Sequence, residues 1–370
     1  MDTVLLRIET NNTTLQAIKQ QSEVQKLGNR TGNYLANPEI EFAYLWGDKP
    51  STGNRTNFSA IQSFDFPTAY MHRSKMAGGR DNIADLEYEH AHKELLLQAG
   101  TVCVNLIYCN ALKAELDKRL QHAQNIAAAW QERFTRGDVD VLERNKAQLA
   151  LLNARKSVEA NDIERTALLS ELQRLNGGQP VIFDDTMYPA YIIPHDFEQW
   201  YEQVQQYHPA LQIARQETEV SRQQEKLNRA LSLPKFSAGY MSEAILGTML
   251  QGVSVGMSIP LWENKNTIKQ AKAQTATWQN IEADTRLQLY NVLKTQHAKA
   301  ISLQALAADY RNMLQTSDNA GLLKKSLDMG QLSLINYIME LTIYYDAVDN
   351  VLQAERDSWL AMLELRLWDN

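Results

Sequence analysis

The chain has 370 residues, a net charge of −7, 22% charged residues and a mean hydropathy of −0.42. That length suggests two or three domains, and the acidic balance argues against a nucleic-acid partner. The polar composition, with no unbroken apolar run of the roughly 18 residues a spanning helix needs, argues against a helical membrane protein.

The N-terminus, M-D-T-V-L-L-R-I-E-T, has neither the basic region nor the apolar core of a signal peptide. That leaves a cytosolic protein or the mature part of an exported one. A first helix is expected over residues 2–30. Two alternating segments follow, at 39–47 and 58–66, and read as strands. Ile40, Phe42, Tyr44 and Trp46 fall on one face of the first, and Glu39, Glu41 and Ala43 on the other. The intervening D-K-P-S-T-G-N-R-T-N has turn chemistry.

Pro67 then opens a long helical stretch with no further proline up to Phe134. As one helix it would run about 100 Å, and Gly78-Gly79 is where it could break. Leu112, Leu116, Leu120, Ala123, Ala127, Trp130 and Phe134 step by three or four, as a helix seam does. Gly137 has the place of a left-handed terminating glycine. Asp140, with Glu143 three residues on, resembles a capping box for a return helix. Cys103 and Cys109, six residues apart on a helix, are too far apart for a disulfide and read as small buried hydrophobes. His90 and His92 share no helix face and do not suggest a metal site. N-G-G-Q-P and Pro189, Pro194 and Pro209 mark a connector, with a short helix near 197–206 expected to pack on the long helices.

The rest of the chain repeats the first half. L-Q-A-I-K-Q-Q-S-E-V from Leu15 returns as L-Q-I-A-R-Q-E-T-E-V from Leu211, and the same register carries Pro38 onto Pro234 and Tyr44 onto Tyr240. After a shorter second loop, Pro67 aligns with Pro260, Ala127 with Ala320, Gly137 with Gly330 and Ala154 with Ala347. The second pair of strands is expected at 235–243 and 251–259, with Val253, Val255, Met257 and Ile259 opposing Ser254, Gly256 and Ser258. Pro260 is expected to open the second long helix. Gly330 ends it, and Ser333 stands where Asp140 stands. The return seam is Leu334, Ile338, Leu341, Tyr345, Val348 and Leu352. The organisation is therefore a repeat over 1–177, a connector over 178–208 and a second repeat over 209–370. The class is mainly α with a small β part, built on two long antiparallel helical hairpins.

Four strands with an apolar face cannot close a barrel, and open edges are not tolerated in lipid. In water such an edge invites aggregation. Either several copies complete the sheet, which makes the chain a homo-oligomer, or the hairpins cap a soluble helical body. The aromatic residues of the first strand suit a lipid interface.

The duplication, the strand–proline–long helix order and the tip glycines resemble the TolC-type outer-membrane channel family across nearly the whole chain. The most specific pieces are A-N-P-E-I-E-F, H-P-A-L-Q-I-A followed by L-P-K-F-S-A-G-Y, G-D-V-D-V-L-E-R-N-K-A-Q, L-Q-R-L-N-G and M-G-Q-L-S-L-I-N-Y. The H-P-A-L and N-P-E-I wording is most similar to the metal-efflux branch typified by CzcC and CusC. The resemblance implies a homotrimer whose four strands per chain build a 12-stranded barrel in the outer membrane, continued by an α-helical tunnel through the periplasm. It implies docking on a periplasmic adaptor and an inner-membrane pump of the resistance-nodulation-division type. Export implies a signal sequence outside the chain shown. Bacterial lipoprotein members begin with an acylated cysteine, which this start does not show.

On this resemblance Phe42, Tyr44, Trp46, Tyr240, Val253, Val255 and Met257 face lipid, and Pro67 and Pro260 mark the strand-to-helix passages. Gly137, Asp138, Asp140, Glu143, Gly330, Ser333, Asn336 and Glu340 form the periplasmic tip, which serves as gate and adaptor contact. Glu143 matches the family's acidic position in the first tip. In the second tip the matching Asn336 and Met339 are not acidic, so Asp138, Asp140 and Glu340 would have to supply the ring of charge or else serve as caps and solvated surface. The implied role is a passive exit duct for small molecules or metal ions, with a soluble coiled-coil scaffold or adaptor as the alternative. No phosphate loop, nucleophile motif, cofactor motif or metal-ligand cluster points to an enzyme.

Overall fold

The computed structural model describes residues 1–49, 51–316 and 320–368, apart from the side chains of 315, 316 and 320. The elements run α1 (Asp2–Asn11), α2 (Thr13–Arg30), β1 (Glu39–Leu45), β2 (Arg55–Phe64), α3 (Pro67–Arg136) and α4 (Val141–Leu175). After these come α5 (Phe197–Tyr207), α6 (Pro209–Leu231), β3 (Lys235–Ile245), β4 (Thr248–Ser258), α7 (Thr267–Thr316), α8 (Ala320–Asp328) and α9 (Leu334–Arg366). The order helix, strand, strand, long helix, return helix thus occurs twice.

Several expected boundaries are corrected. The first helix is two, because buried Asn12 leaves the helix with ψ 118° and turns its side chain to other work. Its Oδ1 accepts from Leu15 N at 2.7 Å, and its Nδ2 donates to the Leu175 carbonyl at 2.7 Å. It is an N-cap for α2, and the N-N-T-T sequence carries that signal. Gly78-Gly79 does not break α3. A Cβ on Gly79 would lie 2.7 Å from Val220 Cγ2, so the glycine lets α6 approach closely, while Gly78 faces open space.

Pro67 opens α3 as expected, but Pro260 opens no helix: α7 starts at Thr267, after turns that include Asn266 at φ +68°. The second hairpin is also tighter than expected. Leu246 (φ +48°) and Gly247 (φ +82°) form a two-residue turn of the type that matches strand twist, which extends β3 and β4 toward each other. β2 begins at Arg55, inside the segment read as loop, because its pairing with β1 and β3 runs that far.

The chain divides into two compact units, each drawing on both halves. One comprises Met1–Ala17, Ala91–Gln205 and Leu289–Asn370, the other Ile18–His90 and Gln206–Gln288.

In the first unit, Val4, Ile8, Cys103, Leu106 and Leu172 are buried in one cluster. Cys109 is buried and free as well, and burial pushes the Cys103 thiol up to about 12. An 18-residue window of α3 reaches a mean hydropathy of 1.5, enough by length and composition to cross a membrane, contrary to the sequence reading. Ala99, Cys103, Val104, Leu106 and Ile107 of this helix have essentially no exposed surface, so the hydrophobicity is spent on packing within the unit. The connector packs here too. Phe197, Trp200, Tyr201 and Val204 of α5 are buried with Leu293, Ala300, Trp359 and Met362.

The second unit contains the four-stranded sheet, order β1-β2-β3-β4 with every neighbour antiparallel. Ala69 and Met76 of α3 pack on Leu227 and Ala230 of α6 beside it.

Candidate functional site: the two-faced sheet and the hairpin tips

Residues opposite one another in register share a face of a sheet. Phe42 pairs with Phe58, which pairs with Ser242 and then Gln251. The neighbouring rows on that face are Ile40-Ala60-Tyr240-Val253, Tyr44-Thr56-Ala244-Met249, Gln62-Ala238-Val255 and Phe64-Phe236-Met257. Phe42, Tyr44, Tyr240, Val253, Val255 and Met257 therefore lie on one face. Val253 and Val255 are 87% and 83% exposed, so no core among the described residues covers them. Trp46 falls just beyond β1, with its ring edge-on to Tyr44 at 5.6 Å. The tyrosine hydroxyls are not idle: Tyr44 accepts from Asn54 Nδ2 at 2.6 Å and Tyr240 donates to Gln251 at 2.9 Å.

The other face holds all the charged strand residues, Glu39, Glu41, Arg55, Lys235 and Glu243, among small and some apolar ones. Its rows are Glu41-Ser59-Met241-Gly252, Ala43-Asn57-Glu243-Leu250 and Glu39-Ile61-Gly239-Ser254. Arg55 bridges two strands there, its Nε 2.9 Å from Glu243 Oε1 and 2.9 Å from Asn57 Oδ1. A hairpin pair capping a local core would bury its apolar face. This one leaves it open.

The tips lie in the first unit and are built alike. The Gly137 N–H donates to the Phe134 carbonyl (3.0 Å) and the Asp138 N–H to that of Arg133 (2.9 Å). At the second tip Gly330 donates to Leu327 (3.0 Å) and Gln331 to Ser326 (2.9 Å). With φ of +83° and +70° at the glycines, both are paired-bond C-caps that only a residue tolerant of left-handed backbone closes without strain. Each return helix is then capped by its own side chain. Asp140 Oδ1 accepts from Glu143 N at 2.8 Å, and Ser333 Oγ accepts from Asn336 N at 3.3 Å. Asp138, Asn336 and Glu340 are exposed, and Glu143 is half-buried. Among the described residues no group of three or more His, Cys, Asp or Glu side chains is placed to hold a metal ion.

The two hairpins meet through a shared cluster: Trp130 and Ala147 from the first, Leu327, Leu334, Tyr337 and Leu341 from the second. The seam expected from spacing is present, with Leu116, Ala127, Trp130, Leu334, Leu341 and Val348 all buried. Sequence reasoning missed Tyr337, which is fully buried one residue off the expected seam.

It also missed the polar clasp between α3 and α9. Arg119 grips Asp349 with both terminal nitrogens (3.0 and 2.7 Å) while lying 4.4 Å over the Tyr345 ring. His122 sits between two tyrosine hydroxyls, Tyr337 at 2.8 Å from Nε2 and Tyr345 at 3.3 Å from Nδ1. Burial, with the Lys324 charge as a smaller cause, holds the His122 pKa below its ordinary value. The eight-residue spacing of Tyr337 and Tyr345 on one helix face was the available signal.

No family model matches the sequence. Alkaline protease secretion protein AprF of Pseudomonas aeruginosa is 24% identical over 403 residues, a match covering 97% of this chain and 82% of AprF. A membrane protein structure from Pseudomonas aeruginosa matches with a TM-score of 0.83 at 13% identity, over 99% of this chain and 89% of that one. The outer-membrane channel OprN matches with a TM-score of 0.82 at 12% identity, over 99% of this chain and 89% of that one.

Proposed function

We propose that this chain, which has the fold of the TolC-type outer-membrane channels, is one protomer of such a channel: a passive exit duct spanning the outer membrane and reaching into the periplasm. The observation that carries the reading is the sheet, aromatic and aliphatic and uncovered on one face, with every charged strand residue on the other, and open at both edges. β1 and β4 are the edges and run in opposite directions. β4 of one copy can therefore pair antiparallel with β1 of the next, and three copies of a four-stranded sheet close a barrel of twelve strands. Closure removes the edges that neither lipid nor water tolerates. The apolar face then meets lipid and the Arg55–Glu243 face lines the lumen.

The duct catalyses nothing. Its energy comes from an inner-membrane pump, and a periplasmic adaptor joins the two. The tips from Gly137 to Glu143 and from Gly330 to Glu340 are the gate and the adaptor's contact. An adaptor opens them only insofar as it binds the open arrangement better than the closed one. Small molecules or metal ions are the cargo that the sequence resemblance implies. Secreted polypeptide is the second reading, favoured by the match to AprF along 97% of the chain. Light scattering of the detergent-extracted protein, paired with planar-bilayer conductance, tests the proposal. A conducting trimer supports it; a monodisperse monomer that needs no detergent and does not conduct overturns it.

A further inference from the structure

The antiparallel order of the sheet brings four chain ends to one side: the starts of β1 and β3 and the ends of β2 and β4. All four lead toward helices. Short contacts hold the flanking stretches there. Gln62 Nε2 donates to the Ala36 carbonyl at 2.7 Å, Asn264 Nδ2 donates to that of Leu231 at 2.8 Å, and the Phe66 and Phe236 rings lie 6.5 Å apart. Around this margin Tyr34, Leu35, Ile259, Leu261 and Trp262 are exposed, Trp262 at 81%. They continue the uncovered apolar face of the sheet past the strand ends.

The same margin is strongly basic in an acidic chain. Stretches 26–38, 65–77, 226–237 and 259–272 together hold ten Lys or Arg and two acidic residues, Asp65 and Glu263, against a net charge of −7 for the whole chain. Four of the ten are neutralised locally: Lys26 by Asp85, Arg30 by Asp81, Arg73 by Asp65 and Arg229 by Glu225. The other six, Lys75, Lys226, Lys235, Lys265, Lys269 and Lys272, have no ion pair among the described residues, and all but half-buried Lys235 are exposed. Lys75, Lys226, Lys269 and Lys272 lie within about 12 Å of the strand-side ends of their helices, Lys235 opens β3 and Lys265 sits just before α7. The opposite side of the sheet has no such excess: 46–54 and 245–248 hold one Asp and one Lys.

An indole and a phenol beside exposed aliphatic groups, backed by unpaired lysines, match the layered chemistry of a membrane interface. Aromatic rings favour the headgroup level, and lysine stems lie along apolar surface while the ammonium reaches phosphate. We propose that this collar binds anionic phospholipid headgroups of the leaflet on the helix side of the membrane, with Trp262 and Tyr34 at headgroup depth. The inference rests on the membrane reading above and adds to it a lipid class and a leaflet. The sign of the charge selects anionic over zwitterionic lipid, and its confinement to one side of the sheet orients the barrel.

The test uses the full chain added to vesicles of phosphatidylcholine alone or of an equal mixture with phosphatidylglycerol, at low and high salt. Each lysine near an anionic surface strengthens association about fivefold. Phosphatidylglycerol should therefore raise wild-type association by at least about tenfold at low salt. The gain should shrink with salt and fall severalfold in the variant Lys235→Gln/Lys265→Gln/Lys269→Gln/Lys272→Gln, which removes four of the six lysines, while conductance persists. An equal gain in that variant, or no gain in the wild type, with both proteins conducting, overturns the inference and leaves the channel reading standing. Failure to insert or conduct in either lipid overturns both. Brominated phosphatidylglycerol gives a second readout that needs no charge variant. It should quench more fluorescence in the wild type than in Trp262→Phe, and identical quenching overturns the placement of Trp262.

Discussion

The hydroxyl of Tyr337 lies 2.8 Å from Nε2 of His122 and joins the second hairpin to the first. With Tyr345 on the other ring nitrogen, a neutral imidazole can accept from one hydroxyl and donate to the other. An imidazolium can only donate, which strips one of the two tyrosine hydroxyls of its acceptor. The folded pKa of His122 lies below the unfolded value of about 6.5, so the unfolded side chain takes the proton first as pH falls. The clasp's contribution is full above the unfolded pKa and is lost as pH falls through the folded one. Backbone amides near the tips should therefore exchange faster at about pH 5 than at about pH 7.5 after correction for intrinsic rates. His122→Gln should flatten that difference; an unchanged pH dependence in the variant would remove His122 from the account.

The tip glycines predict a matched pair of costs. Gly137 and Gly330 have φ of +83° and +70° with open space around a would-be Cβ, so the penalty of substitution is backbone strain alone. Gly330→Val and Gly137→Val should each lose roughly 1–2 kcal/mol in urea unfolding, with asparagine in the same places costing less. Equal stability of the valine and asparagine variants would contradict the strained-backbone reading.

Gly78 and Gly79 are neighbours in α3 with opposite expectations. A Cβ at 79 meets Val220 Cγ2 at 2.7 Å, and one at 78 meets nothing within 4 Å. Gly78→Ala should stabilise by up to about 1 kcal/mol through helix propensity. Gly79→Leu should destabilise by about 1–3 kcal/mol through overpacking. Thermal melting of the two variants side by side checks the contrast, and a shared sign would refute it.

Arg119 and Asp349 should be coupled. The pair is bidentate and its arginine largely buried, with 11% of the side chain exposed. A double-mutant cycle of Arg119→Met and Asp349→Asn should give a coupling of about 1–3 kcal/mol. Each single variant should be worse than the double variant implies by addition, because each leaves a buried charge or donor unpaired. Strict additivity would show that the pair contributes nothing.

The two faces of β4 should respond differently to charge. Val253 belongs to the apolar face and Ser254 to the polar one. Val253→Arg should cost roughly 2–4 kcal/mol of membrane-folding stability, and Ser254→Arg little. Refolding into lipid vesicles measures both, and similar losses would mean that the apolar face does not meet lipid.

Much of this was legible in the chain because it depends on local pattern. Period-two alternation placed Phe42 with Ile40 and Tyr44 on one face of the first strand, and Val253 with Val255 and Met257 on one face of the last, before any pairing was known. A glycine followed three residues later by Asp140 or Ser333 located both tips. What sequence could not supply was set by distant partners. Asn12 breaks the first helix because the Leu175 carbonyl waits for its amide, far along the chain. Gly79 stays helical because Val220 needs the space. Pro260 looks like Pro67 yet opens no helix, because left-handed Asn266 postpones α7 by several residues. The clasp of His122, Tyr337 and Tyr345 joins residues more than two hundred positions apart, and dispersed histidines carry no mark of such a meeting.

The turn at Leu246–Gly247 is as short as a hairpin allows, whereas β1 and β2 are joined through residues 46–54. On the channel reading proposed above, both connections would face outside the cell, but only the second holds enough chain to be gripped. An antibody, a phage fibre or an external protease would find one epitope per protomer, repeated by symmetry around the mouth. Immune or phage pressure would then fall on that single loop, leaving the other hairpin too cropped to be seen.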